Sequence, residues 1–276
     1  RGLGPRPFRV GKYSAALAPL GAGDYPFSNP KRSQTMPDAL DALTKSLLQA
    51  ATKAGADAAD AMAITASSVS IEVRGGALEQ AERSEGTDIG LRVFVGQRSA
   101  NVSASDTSAR TIEEMAERAV AMAREAPEDP YAGLADPAQL SARRDAEGLE
   151  LCDPAPEPSP EALQDDAARA EAAALAVKGV SQVQSAGAGY GAQKIHLAAT
   201  NGFEGGYARS ERGLSCVAIA GSGTGMERDY DGDSRIFQAD LRDAQEIGTR
   251  AGERALARLD ARKPPTGSYP VLFDER

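Results

Sequence analysis

One histidine, His196, and two widely separated cysteines, Cys152 and Cys216, are the side chains from which this chain could build a zinc site or a nucleophile–base pair. Zinc is held by three or four nitrogen or sulfur ligands, commonly in close pairs. No CxxC, HExxH or HxxxH spacing occurs in the sequence. Carboxylates alone suit calcium or magnesium better than zinc, so no cofactor is expected in this chain. His196 stands between Ile195 and Leu197. On a strand it points away from the face those two share. With no Gly-x-Ser-x-Gly elbow near it, His196 reads as a surface or interface imidazole and not as a general base. Cys216 falls in the apolar run Leu214 to Ile219 and reads as a small buried hydrophobe, while Cys152 falls in a proline-rich stretch.

Three further segments invite chemistry. Gly221-Ser222-Gly223-Thr224-Gly225 has the composition of a phosphate cradle, but such a loop must open directly into a helix and end in Lys-Ser/Thr. Here a strand-like stretch follows, so a hairpin turn is expected. Asp229, Asp231 and Asp233 with Asp240 resemble a calcium loop, yet Ser234 stands where the glycine is needed and Asp240 where a bidentate glutamate is needed. A solvated loop is expected there. Glu227, Arg228 and Asp229, flanked by Met226 and Tyr230, place three consecutive charges on alternating faces of a strand.

The elements that must position these residues follow from the apolar period. Leu40, Leu43, Leu47, Leu48 and Ala51 paint one stripe on a helix that ends near Gly55. The period then falls to two. Val69, Ile71 and Val73 lead to a Gly75-Gly76 turn, Ala77 to Ser84 returns, Ile89 to Val95 forms the next strand, and Ala100 to Ala104 another. Ile112, Met115, Ala119 and Met122 mark a second helix ending before Pro127. Seven of the sixteen prolines lie between Pro127 and Pro160, which predicts a stiff linker over 127–159.

Ser159-Pro160-Glu161 then reads as N-cap, first-turn proline and first-turn acid of a third helix through Val177. A second meander carries Ile195 and Leu197, the Asn201-Gly202 turn, Phe203 to Arg209 and Leu214 to Ala220. A fourth helix carries Ala244, Ile247, Ala251, Ala255 and Leu259. The prediction is an α+β chain of two helix–antiparallel meander–helix halves, 36–126 and 160–263. Gly76 and Gly202 each precede an Arg-Ser-Glu by seven residues, Arg83 to Glu85 and Arg209 to Glu211, which suggests an internal duplication.

Composition excludes several partners. A formal charge of −9 repels a phosphate backbone, and no basic stripe is interleaved with aromatics, so no direct nucleic-acid contact is expected. No run of 18 apolar residues predicts a membrane span. Two unpaired cysteines fit a reducing, cytoplasmic setting. Aromatics are 5% with no tryptophan, so the core must be built from alanine and aliphatic residues, which suits burial against another subunit. Residues 1–35 lack periodicity and read as a disordered leader or as sequence upstream of a start at Met36.

The Asn201-Gly202 turn, Tyr207, the run Leu214-Ser215-Cys216-Val217 and the block Met226-Glu227-Arg228-Asp229-Tyr230 together resemble the PmbA branch of the TldD/PmbA family. That resemblance implies a two-subunit metallopeptidase that degrades or trims flexible peptides. The TldD-type subunit carries a zinc-binding His-Glu-x-x-x-His, and the PmbA-type subunit does not. This chain would then be the non-catalytic partner, helping to enclose peptide, with extended substrate held by strand addition. Met226, Glu227, Arg228, Asp229 and Tyr230 become a candidate subunit contact. The resemblance covers Met36 to Arg276, with Tyr269 to Phe273 expected as a strand that opens a further domain over 264–276. Two alternatives stay open: an interaction protein of the gyrase-modulator type, and a chain whose own metal motif lies beyond residue 276.

Overall fold

A computed structural model describes residues 37–273; the expected leader over 1–35 lies outside them. The order is α1 (Pro37–Ala54), β1 (Ala58–Arg74), β2 (Ala77–Val95), β3 (Arg98–Ala104) and α2 (Ala109–Glu125), then α3 (Pro160–Ala176), β4 (Val180–Ala199), β5 (Glu204–Ala220), β6 (Glu227–Arg235) and α4 (Ala244–Ala257). Each half is a helix, a three-stranded meander and a helix, so the mixed α+β expectation is met. All six strands join one antiparallel sheet in the order β3-β2-β1-β4-β5-β6, and the halves meet where β1 pairs with β4.

Strand parity explains why one face of this sheet carries all four helices. On β1 the buried residues are Ala59, Ala61, Ala63, Val69, Ile71 and Val73, all on one side of the pleat. Their neighbours across the register face the same way: Ile89 and Leu91 on β2, Ala186 and Ala188 on β4. Helices α1 and α2 cover Ala59–Ala63 and Ile89–Val93, while α3 and α4 cover Val69–Val73, Ala186 and Leu214–Ala220. On β4 a register shift between Val183 and Ser185 moves the inward position from odd to even numbers, so that Val183 and Ala186 both face α3.

Alanine-rich facing surfaces let the helices approach closely. At Gly248 on α4 an added Cβ would lie 2.0 Å from the Ala170 carbonyl oxygen of α3, a contact no side chain could occupy. Three buried polar groups fix the layers against each other. Glu171 on α3, 3% exposed, accepts hydrogen bonds from both turn amides of the β1–β2 hairpin, Gly75 at 2.6 Å and Gly76 at 2.9 Å. Arg212 on β5 pairs with Asp166 of α3 at 2.6 Å and donates to the Gly189 and Gly213 carbonyls at 3.0 and 2.9 Å. Burial lowers the pKa of its guanidinium, and Asp166 opposes that shift. Asp153, in the linker, accepts from Gln238 and Ala155 amides, and these bonds hold its carboxyl below the ordinary range.

The linker crosses the end of the β4–β5 hairpin, where Arg144 donates to the Gly202 carbonyl at 2.7 Å and stacks on Phe203. It then runs beside β5, where the Ser210 amide donates to the Leu151 carbonyl. The proline-rich stretch thereby caps the part of β5 that β6 does not reach.

Five expectations change. Ala77–Ser84 and Ile89–Val95 are one continuous strand, as are Phe203–Arg209 and Leu214–Ala220, because antiparallel pairing carries through the polar residues between them. Tyr269–Phe273 forms no strand: no described residue pairs with it, and Leu272 and Phe273 are 99% and 89% exposed. The two Arg-Ser-Glu stretches do not occupy equivalent places. Arg83 is paired with Val69 and shares its helix-bearing face, whereas Arg209 is paired with Gln193 on the opposite face. The architecture repeats, but this echo gives a duplication no support. The fourth, at Asp229–Asp233, and the fifth, at His196, belong with the site below.

Glu171→Ala removes the acceptor from two hairpin amides and should lower unfolding free energy by about 1–3 kcal/mol in urea titrations. Glu171→Gln, which keeps one acceptor oxygen, should cost less. An unchanged urea midpoint for Glu171→Ala would show that the turn holds itself.

Candidate functional site

The block Met226–Tyr230 opens β6, the edge strand beside β5. Its residues divide between the two faces. Met226, Arg228 and Tyr230 are exposed on the helix-free side, and Arg228 donates to Gln184 Oε1 at 3.0 Å. Asp229 turns to the helix-bearing side and meets Arg258, the residue that caps α4, at 2.7 Å, with Glu227 facing the same way. Hydrogen bonding to Asp229 raises the Arg258 pKa.

The segment expected as a solvated loop is therefore a strand. Asp229, Asp231 and Asp233 alternate toward α4 and its leading loop and each meets arginine there. Asp231, 3% exposed, is bound by Arg254 and by Arg242 at 2.9 Å, and Asp233 accepts from the Arg242 amide at 3.0 Å and pairs with Arg235 of β6 itself at 3.1 Å. These carboxylates are thus paired with guanidiniums on a strand and do not converge as the ligands of a calcium loop. The acids lock β6 to α4. Gly221 and Gly223, with φ of +82° and +58°, turn the chain between β5 and β6, and no helix of phosphate-binding length follows.

On the helix-free face Met62, Leu197 and Tyr207 are 40%, 36% and 43% exposed and adjoin Ile64 and Ile195 across the register. Toward the other end of the face the strands present Gly187, Gly189, Gly213 and Gly232, which floor a shallow trough bordered by Glu72, Glu211 and Tyr230, with a volume near 680 Å³. The face combines an apolar patch with a strip of accessible backbone.

Sequence spacing gave no hint of one cluster. On the helix-bearing face His196 lies half-buried beneath α1, not on the surface. Its Nδ1 is 2.9 Å from Thr44 Oγ1, and that hydroxyl donates to the Asp41 carbonyl at 2.9 Å. A hydroxyl has one hydrogen to give, so it must accept from Nδ1–H, leaving Nε2 toward Glu204 at 4.0 Å. Asp41, His196 and Glu204 thus gather ligand-type atoms within 4.8 Å of one another. They do not suit a metal ion. Lys45 already bridges the two carboxylates, at 2.7 Å from Asp41 and 3.3 Å from Glu204. The hydrogen bond from Lys45 holds Asp41 below its ordinary pKa, and the acids raise Lys45. Nor is Thr44 a nucleophile, being fully buried with its proton engaged. The one cue was a threonine set between Leu40 and Leu47 on the apolar stripe of α1. Cys216 is buried as expected, and burial pushes its thiol up to about 12.

The family model described as the PmbA/TldA metallopeptidase central domain matches residues 153–259, and that of PmbA/TldA metallopeptidase domain 1 matches 59–123. Metalloprotease PmbA of Escherichia coli O157:H7 is 32% identical over 220 residues, 79% of this chain and 48% of that protein. The metalloprotease PmbA homolog of Haemophilus influenzae is 32% identical over 231 residues, 82% of this chain and 49% of that protein. The chain thus spans about half the length of the curated relatives it matches. Among solved structures, a candidate modulator of DNA gyrase from Bacteroides thetaiotaomicron superposes with a TM-score of 0.73 at 23% identity, over 81% of this chain and 51% of that one. TldE from Thermococcus kodakarensis superposes at 0.61 with 16% identity, over 78% and 47%. These two likenesses concern the fold.

The thiols offer a direct check on the packing. Only Cys152, exposed in the linker, should react with a thiol reagent at pH 8 in the native state, and Cys216 should become reactive only on unfolding. Rapid native modification of both would mean that the sheet and α3 open at Cys216.

Proposed function

We propose a role for this chain from the fact that it belongs to the PmbA/TldD metallopeptidase family: it is the non-catalytic, PmbA-type subunit of a cytoplasmic peptidase acting on flexible peptides. Its part is to dock a TldD-type subunit, which supplies the zinc, and to help enclose the peptide. The observation that carries this reading is the pairing of 32% identity to metalloprotease PmbA with a donor set whose carboxylates already hold a cation. Nδ1 of the sole imidazole is engaged with Thr44, and the ammonium group of Lys45 bridges the two carboxylates beside it. Two free thiols support the cytoplasmic assignment, and no helix among the described residues is long and apolar enough to cross a membrane.

The helix-free face supports a docking role. Met62, Leu197 and Tyr207 form an exposed apolar patch at one end of it and Tyr230 is exposed at the other, and such patches commonly mark contacts between chains. Arg228 sits at its edge with Tyr230 beside it, so a partner that covers this end meets one cation within an aromatic and aliphatic surround.

Two measurements test the proposal. Arg228→Glu replaces the cation by an acid on that face and should weaken co-purification with a TldD-type subunit by about tenfold, with peptide cleavage falling in step. Arg143→Glu, on an exposed linker residue, should change neither. Survival of assembly and cleavage in Arg228→Glu, with circular dichroism unchanged, would remove β6 from the interface. For the metal, chelator-washed chain reloaded with zinc should retain none above background, with His196→Ala indistinguishable from the parent. One tightly held zinc per chain would overturn the non-catalytic assignment.

A further inference from the structure

The stretch Ala77–Thr87 of β2 pairs with β1 along one edge, and β3 takes up the other edge only from Ile89 onward. Among the described residues no backbone hydrogen bond reaches the outer edge of Ala77–Thr87. Ala77 to Gly86 are exposed throughout, so this half of the strand is open on both faces as well as along its edge. It is nonetheless held in place. Glu171 binds both amides of the turn that precedes it, Arg83 is tied to Glu157 of the linker at 2.5 Å, and every residue of Ala77–Thr87 except Glu79 has a named partner on β1. A free edge that is fixed in its extended form has already met most of the ordering cost of strand addition.

Charge chooses the occupant. From residue 66 to 88 the hairpin holds five acids, Glu72, Glu79, Glu82, Glu85 and Asp88, against Arg74 and Arg83. Both arginines are already paired, Arg74 with Glu79 and Arg83 with Glu85 and Glu157. A second copy of this edge would bring acid against acid, which disfavours self-pairing. A lysine- or arginine-rich strand would instead meet a hairpin with a net excess of three acids, with Glu82 of the edge outside these ion pairs. We propose that the outer edge of β2 over Ala77–Thr87 binds an extended, basic peptide by strand addition. The inference rests on the reading that this chain handles flexible peptides, and it names which of them are favoured and where they are held.

The test uses this chain alone and a fluorescent ten-residue peptide of alternating lysine and valine. Fluorescence anisotropy should detect binding, and amide exchange should slow within Ala77–Thr87. The same peptide N-methylated at alternate residues, which cannot pair along a strand edge, should bind at least tenfold more weakly, as should one with glutamate in place of lysine. Glu79→Lys with Glu82→Lys should weaken the lysine peptide about tenfold, while Glu113→Lys on α2 should leave it unchanged. Equal binding of the N-methylated peptide, exchange protection located elsewhere, or no binding at all would overturn the proposal, leaving the acids of β2 as guards against aggregation. The peptide comparison and the exchange map need no variant, so they decide the matter even if the charge reversal disturbs folding. Because no partner is present, failure here leaves partner-dependent cleavage standing, and failure of assembly leaves the edge measurement standing.

Discussion

The antiparallel pairing of β1 with β4, from Asp60 opposite Ala199 to Val73 opposite Ala186, is the constraint on which the rest of the molecule depends. It is the one sheet contact between the halves, and its register sets which side of every strand is buried. A slip of one residue would turn Ala186 and Ala188 outward while Ile71 and Val73 stayed inward, and α3 would lose its floor. With the register as it is, two apolar clusters lie under two helix pairs on the same face, and the opposite face carries none.

Such a core gains little per residue, because alanine has small apolar area to bury, at about 25 cal/mol per Å². Close approach and well-satisfied polar groups therefore matter more than in an aromatic core. The α3–α4 crossing at Gly248 shows the first. Glu171, Arg212 and Asp231 show the second: each is nearly excluded from solvent, and each meets two or more partners. Removing one member of such a set costs more than the bond itself, since the remaining charge or amide is left without water or partner. These contacts also join separate elements, α3 to the β1–β2 turn far from it in sequence and α4 to β6 just before it, so they specify arrangement as well as stability.

What was legible in the sequence was local. The stripe on α1, the Ser159 cap of α3, whose hydroxyl accepts from the Ala162 amide, and the glycine turn at 75–76 stand where residue types required them. Strand lengths were not legible. Between Ser84 and Ile89, and between Arg209 and Leu214, the chain is polar or glycine, so no alternation signals a strand. Pairing with β1 and β4 supplies the structure there. The aspartates of β6 were misread for a related reason: alternating acids look solvated until the arginines of α4, more than ten residues on, are brought opposite them. The tether of His196 to Thr44 spans 152 positions, and no spacing rule could have joined them.

The helix-free face carries the functional argument furthest. A sheet surface that needed only solubility would alternate charges along it, as the outer half of β2 does. Instead Met62, Leu197 and Tyr207 lie exposed at one end, and glycines expose the backbone at the other. Three charged groups around it are engaged with neighbours: Arg228 with Gln184, Arg209 with Glu211, and Glu211 in turn with Ser234. A surface with apolar area to cover at one end and backbone exposed between glycines at the other suits contact with another chain. That is the property the proposed docking role requires of this face.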